Sequence, residues 1–465
     1  MVSKIPVKNI IITFALTIAA WLFAFPMADF PVNFSYSAAV VLMTLVGWST
    51  GLIPPYLTAL IFFALTIILK LLEPSVLFAG FGSTAVWLII SGFVIGTAIS
   101  ISGLGKTLAS LIEPHFTGSY FRLIFGLVFS AALLGFIMPS SIGRAVVLIP
   151  IGIALADQVG FAQGSNGRLG VVTSLIIACN MPSFAILPAN IPNMILSGSS
   201  ETLFGIHFGY TEYLWLHFPV LGLLKSFAII GTTLLVFPAK IDLDANHDVA
   251  ESHIDPQQKN LQIRVAVILG ITLLFWVTDS IHGVNPAWVG LVTSIILLLP
   301  KWGVVPAKSF SSSVDFSTIV FVASALGLGV LVNESGIGAA LGDVFATLLP
   351  GESSGTFANY MALSLIATAT SLVTTVQGVP TVLTPMATEL AQATGFSLPA
   401  VLMTQVVGFS TVIFPYQVAP LILAMQMSNE PISQLLKLSL PLALFTIVFL
   451  MPINYLWWLV LGWIG

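Results

Sequence analysis

The chain has 465 residues, of which 57% are hydrophobic and only 7% charged, where a soluble domain carries about 25% charged residues. So few charges cannot cover a water-facing surface, and a net charge of −4 offers no basic field for nucleic acid. The single cysteine, Cys179, excludes a disulfide framework or a cysteine-based metal site.

Lys4 and Lys8 precede the first apolar run, 9–29. It has the length of a span, and no small-residue cleavage site follows it, so it reads as a transmembrane helix rather than a signal peptide. Further apolar segments fall at 36–53, 55–71, 84–104, 122–157, 168–198, 213–237, 263–280, 286–300, 316–333, 357–394, 397–425 and 434–463. The 38 glycines and 27 prolines lie largely inside such segments, where membrane helices tolerate them.

Two segments, 122–157 and 357–394, are too long for one span and break near the middle, at 138–143 and 374–380. A long apolar segment with a polar, Gly/Pro-containing tip reads as a re-entrant hairpin whose irregular backbone lines a cavity. With both hairpins re-entrant, the other 11 segments alternate. Lys4, Lys8, Lys106, Arg122, Arg168, Lys240, Lys259, Arg264, Lys301, Lys308 and Lys437 then fall on the cytoplasmic side, leaving only Lys70 at an outer end. The expected fold is an all-α polytopic membrane protein with about 11 transmembrane helices plus two re-entrant hairpins. It would lie in the cytoplasmic membrane, N-terminus inside and C-terminus outside.

The halves resemble each other. Pro150, Gly160 and Phe161 match Pro385, Gly395 and Phe396 at a constant offset of 235, and Ser183, Pro188 and Asn190 match Ser410, Pro415 and Gln417 at 227. Ser83-Thr84 matches Ser317-Thr318, and Ser102-Gly103-Leu104-Gly105 matches Ser335-Gly336-Ile337-Gly338. Five crossings separate equivalent points, so the repeat is inverted, the arrangement of alternating-access transporters. The expected divisions are scaffold helices in 1–82, a first repeat in 83–237 with an inward-opening hairpin, and a cytoplasmic loop in 238–262. Scaffold helices follow in 263–315, then a second repeat in 316–465 with an outward-opening hairpin.

In each half a half-helix starts at the hairpin tip and a second helix breaks downstream, at 181–193 and at 409–420. Unwound backbone, half-helix N-termini and neutral side-chain donors suit a small anion; ordinary proline kinks are the bland alternative. The candidate substrate-binding residues are Ser140, Ser141, Arg144, Ser183, Asn190, Asn193, Thr374, Thr375, Gln377, Ser410 and Gln417. Arg144 is the sharpest, since charge at membrane depth is costly and a guanidinium suits carboxylate or sulfate. Its alternatives are snorkelling to the cytoplasmic mouth or pairing with Asp157 or Glu389.

Other candidates are weaker. Gly103-Leu104-Gly105-Lys106-Thr107 resembles the end of a phosphate loop but has Ser100 where the first glycine belongs. Asp279 and His282 read as solvated residues of an outer turn, Glu334 as a helix end, and His247 and His253 as loop residues without metal-ligand company. No catalytic constellation supports the rival of an intramembrane enzyme.

Ser83-Thr84-Ala85-Val86-Trp87-Leu88-Ile89-Ile90, Ser102-Gly103-Leu104-Gly105 and Pro188-Ala189-Asn190-Ile191-Pro192-Asn193 resemble the helix signatures of the divalent anion/sodium symporter family, from about Ser37 onward. The resemblance implies 11 spans, two hairpins, a scaffold, a moving transport unit and a homodimer. That family's tips carry Ser-Asn-Thr motifs that bind sodium and carboxylates. Here the triplets are Ser140-Ser141-Ile142 and Thr375-Val376-Gln377. The expectation is a secondary transporter of a small anion, dicarboxylate or sulfate-like, by symport or exchange. No cofactor is expected, and the coupling ion is left between sodium, proton and counter-anion. The alternative is a proton-coupled carrier of another small organic solute.

Overall fold

The computed structural model describes residues 7–27, 30–105, 107, 118–241, 256–351 and 355–464. Lys4, Lys106, His247, His253 and most of the expected 238–262 loop therefore lie outside the described residues. The described residues are overwhelmingly helical and contain no strand. Among the described residues, ten helices are long and apolar enough to cross a membrane, or 11 if the bent pair Gly378–Thr394 and Leu398–Phe409, angled at 115°, counts as one span. The chain is a multi-pass membrane protein.

Three helices open it: α1 (Val7–Ala24), α2 (Val32–Thr50) and α3 (Pro55–Ile68). Each packs on the next, and α2 stops at Gly51, whose φ of 59° is the left-handed turn a glycine takes at least cost. Next comes α4 (Thr84–Ser102), started by Ser83, whose hydroxyl caps the Val86 amide at 3.3 Å.

The first long apolar segment resolves into α5 (Tyr120–Ile137) and α6 (Ser141–Gln158), turning at Met138-Pro139-Ser140. Pro139 supplies no N–H at the turn, and Ser140 restarts the helix by accepting from Gly143 at 3.1 Å. Each arm has 18 residues, so by length alone either would count as a span. The segment expected at 168–198 becomes α7 (Asn166–Ala178), two short 3-10 turns, and α8 (Ile191–Phe204). Pro182, Pro188 and Pro192 deny the donors a continuous helix would need.

The next span is α9 (Tyr210–His217), a π-helical stretch Phe218–Leu224, and α10 (Lys225–Val236). Asp279, read from sequence as solvated, is instead buried and accepts from the amides of Tyr210 and Thr211, capping α9 from a neighbouring element. Helices α11 (Pro256–Val277), α12 (Pro286–Leu298) and α13 (Phe316–Glu334) follow, and α4 packs against α12, α11 and α13. Glu334 is exposed at the end of α13.

After α14 (Ile337–Ala346), the second long segment forms α15 (Thr356–Thr374), α16 (Gly378–Leu383) and α17 (Ala387–Thr394), turning at 375–377. Thr375 has φ 70° and ψ 166°, a conformation that costs a β-branched residue on the order of 1–3 kcal/mol. The chain ends with α18 (Leu398–Phe409), α19 (Ala419–Ser428), α20 (Ile432–Phe445), a second π-helical stretch Thr446–Leu450, and α21 (Met451–Val460). α15 lies directly on α18. A Cβ at Gly408 would come within 2.3 Å of Ala367 Cβ, so no side chain fits between them.

Candidate functional site

Where α7 stops, the unwound stretch 179–190 leaves main-chain carbonyls without helical donors. Several of them are met by side chains. Asn193 Nδ2 donates to Phe184 O at 3.1 Å and Ile186 O at 2.9 Å. Tyr213, one helix away, also donates to Phe184 O, at 3.0 Å. Ser183 Oγ donates to Asn180 O at 2.7 Å. Asn190 Nδ2 reaches Ser183 Oγ at 2.9 Å, and its Oδ1 accepts from Ser141 on the hairpin tip.

Arg144 completes this set. It is 0% exposed. Its Nε donates to Cys179 O at 2.9 Å, one terminal nitrogen to Met138 O, and the other to Ser183 Oγ at 2.6 Å and Ser141 Oγ at 3.1 Å. Ala189 O lies 3.4 Å from both terminal nitrogens. All donors of the guanidinium fork point at protein oxygens. The residue neither snorkels nor pairs with a carboxylate, and Asp157 bonds Arg168 instead. It stands behind the tip of the first hairpin, where it clamps that tip to the broken helix, rather than presenting an open fork to a substrate.

The second half is built in parallel. The α18 break spans 410–418. Gln417 Oε1 accepts from the amides of Ile413 at 2.8 Å and Phe414 at 2.7 Å, while its Nε2 donates to Ser371 Oγ at 2.6 Å. Ser439 Oγ donates to Ile413 O at 2.8 Å. The hairpin tip joins in through its main chain, Val376 N to Gln417 O at 3.1 Å. The break's first residue, Ser410, accepts from Lys225 Nζ through its carbonyl at 2.6 Å.

Between these parts lies a cavity of about 260 Å³. Its wall includes Ser140, Ser141 and Ile142, then Asn190, Ile191 and Pro192, then Val376 and Gln377, and finally Gln417, Val418, Ala419 and Pro420. Those four groups are the N-terminal ends of α6, α8, α16 and α19. Ile89 and Phe93 of α4 and Asp315 and Thr318 at the start of α13 close the other side. There the packing against the first tip is tight: a Cβ at Gly92 would stand 3.0 Å from Pro139 Cγ.

Of the candidates named from sequence, Ser140, Ser141, Asn190, Gln377 and Gln417 line the cavity together. Arg144, Ser183 and Asn193 lie one layer behind, buried and holding the lining residues. Thr374 bonds back to Thr370 O at 2.9 Å, and neither it, Thr375 nor Ser410 is in the wall. Sequence reading missed Asn180, which lines the cavity with a buried Oδ1 that finds no hydrogen-bond partner. It also missed Asp315, Thr318 and Lys225. The argument that singled out Arg144, charge within an apolar segment, applied equally to Lys225. No group of three or more metal-ligating side chains occurs among the described residues.

Two broken helices and two helical hairpins around one cavity with polar side chains in its wall define the transporter class of membrane protein. The chain belongs to the citrate transporter family (CitMHS), whose pattern matches residues 39–408. An uncharacterized transporter of Haemophilus influenzae is 21% identical over 97% of this chain and 98% of its own length. Dicarboxylate transporter 1 of spinach chloroplasts is 27% identical over 64% of this chain. The chain spans about half of that protein, 54%, and 53% of a Cupriavidus necator membrane protein that it also matches. Two solved transporters share the fold across nearly the whole chain: YdaH of Alcanivorax borkumensis, with a TM-score of 0.56 at 16% identity, and MtrF of Neisseria gonorrhoeae, with 0.54 at 14%.

Proposed function

We propose that the protein is a secondary transporter of small carboxylate anions of the dicarboxylate or citrate type, working in the cytoplasmic membrane by alternating access. The observation that carries this is the convergence of three helix N-terminal ends, those of α6, α8 and α19, on one cavity beside the second hairpin tip. Each end contributes roughly half a positive charge, and the cavity adds neutral hydroxyl and amide donors. The family pattern and the dicarboxylate carriers among the relatives support the same substrate class.

The hairpins are read as re-entrant because their tips meet at the buried cavity, among unwound helices, and not at a membrane surface. The matched breaks at Ser183 and Ser410 support the inverted repeat. In this reading α1–α4 and α11–α14 are scaffold, and the hairpins, broken helices and two π-interrupted spans form the moving unit. Two such protomers would pair. The cavity touches Asp315 and Thr318 beside a segment bearing Lys301 and Lys308, so the positive-inside rule makes this an inward-facing state.

Sodium coupling is disfavoured. Arg144 already occupies the carbonyls of Met138, Cys179 and Ala189 and the hydroxyls of Ser141 and Ser183, a cage of oxygens of the kind a hard cation needs. Exchange or proton coupling fits better.

Purified protein in proteoliposomes, given labelled succinate, malate, citrate and sulfate under separate sodium, proton and counter-anion gradients, tests the proposal. Saturable uptake of at least one carboxylate is expected. No uptake of any of them under any gradient would overturn it.

A further inference from the structure

Two basic side chains are fully buried among the described residues, Arg144 at 0% and Lys225 at 1% exposure. Neither has a carboxylate within ion-pair distance among the described residues. They come from elements that do not correspond in the two halves, a hairpin arm and the span α9–α10. Yet they end on corresponding residues: Arg144 on Ser183, Lys225 on Ser410. Ser183 lies within the unwound stretch of its half and Ser410 opens that of the other, and the far end of each stretch, Asn190 or Gln417, lines the cavity.

Lys225 follows the π-helical stretch directly. Its ammonium donates to Ser410 O at 2.6 Å and approaches Ser410 Oγ at 3.5 Å. Two contacts to one residue do not neutralise an ammonium. Burying a charge without a counter-ion is expensive, and such residues in membranes persist where they face a functional partner. The cavity lies at the other end of the unwound stretch that Lys225 grips.

We infer that Lys225 is a fixed counter-charge for the transported anion: with Arg144 it supplies two positive charges beneath the cavity and so selects doubly charged over singly charged substrates. The inference rests on the anion-transport reading and deepens it. Lys225 acts through the Ser410 carbonyl and through space, so it is a positioning and electrostatic residue and does not touch substrate.

The test compares succinate with butyrate, probes of similar length but different valence, at pH 6.5 and constant ionic strength. Affinities are read by calorimetry on purified full-length protein. A unit charge within about 10 Å, at an effective dielectric near 20, is worth roughly a factor of ten. Lys225→Met is therefore expected to shrink the succinate-to-butyrate affinity ratio roughly ten-fold, and Lys225→Arg to keep it. If Lys225→Met does not fold, Ser410→Asp places a neutralising carboxylate beside an intact Lys225 and is expected to shrink the ratio equally. A wild-type ratio in a folded Lys225→Met or Ser410→Asp protein would overturn the inference while leaving anion transport standing. Wild-type protein that binds no carboxylate would overturn both.

Discussion

Val376, at the tip of the second hairpin, donates its main-chain N–H to the carbonyl of Gln417 in the second broken helix at 3.1 Å. The first half makes the corresponding junction differently. There the side chain of Ser141 meets the side chain of Asn190, which matches Gln417 at the offset of 227. One tip is held by side chains and the other by backbone. Substitutions at the second tip should therefore be tolerated as long as the backbone keeps its path.

Gln417 is the residue on which the second break depends. Gln417→Ala leaves the amides of Ile413 and Phe414 without their acceptor, at about 1–3 kcal/mol for each group left buried. A clear fall in thermal unfolding temperature in detergent is expected. Gln417→Glu keeps an oxygen that can accept from both amides, so it should unfold closer to wild type. Its negative charge in the cavity wall should nonetheless abolish carboxylate binding. Normal binding by the Glu variant would show that the anion sits elsewhere.

Arg144 should behave as a structural cation. Neither Arg144→Lys nor Arg144→Gln can reach Cys179 O, Met138 O, Ala189 O and both hydroxyls at once. Both should lose on the order of 3 kcal/mol or more of stability and impair anion binding together. Denaturation and calorimetry on the two variants check this. A Lys variant with wild-type stability and affinity would reduce the role of Arg144 to charge alone.

Cys179 is the chain's single cysteine and is 1% exposed, so introduced cysteines can be read against a quiet background. Lys240 and Thr347 are described and exposed. Lys240→Cys should label with an impermeant maleimide only from the cytoplasmic side, and Thr347→Cys only from the outside. Labelling of both from one side would break the inverted-repeat reading.

Sodium should have little effect on substrate affinity. Sodium binding only to the competent state would add RT ln(1 + [L]/Kd), roughly 1–3 kcal/mol at concentrations well above Kd. Thermal unfolding with succinate in sodium against choline chloride measures this. A gain of that size, specific to sodium over potassium, would restore sodium coupling.

Much of this architecture was legible because membrane spans declare themselves by length and apolarity. The breaks were legible too, because Pro182, Pro188, Pro415 and Pro420 interrupt runs that are otherwise helical. What the sequence could not reveal is which polar atoms face the cavity and which face one another. Ser140 and Ser183 are both serines near a break, yet one lines the cavity and the other is bound by Arg144. That choice depends on helix rotation and on a partner 39 residues away. The π-helical stretches also leave no periodic signal, and it is the one at 218–224 that sets where Lys225 points. Asp279 looked solvated because its turn is polar, but the helix start it caps is distant in sequence.

The span that carries that stretch touches both unwound regions: Tyr213 bonds Phe184 O on one side of the π insertion, and Lys225 bonds Ser410 O on the other. A single strut thus bolts the two breaks to each other. Neither can open by itself without stretching a buried bond at one end of the strut. In the proposed alternating-access cycle the cavity's floor would therefore travel as one rigid car, with α4 as its track, where Gly92 leaves no side chain to catch on Pro139.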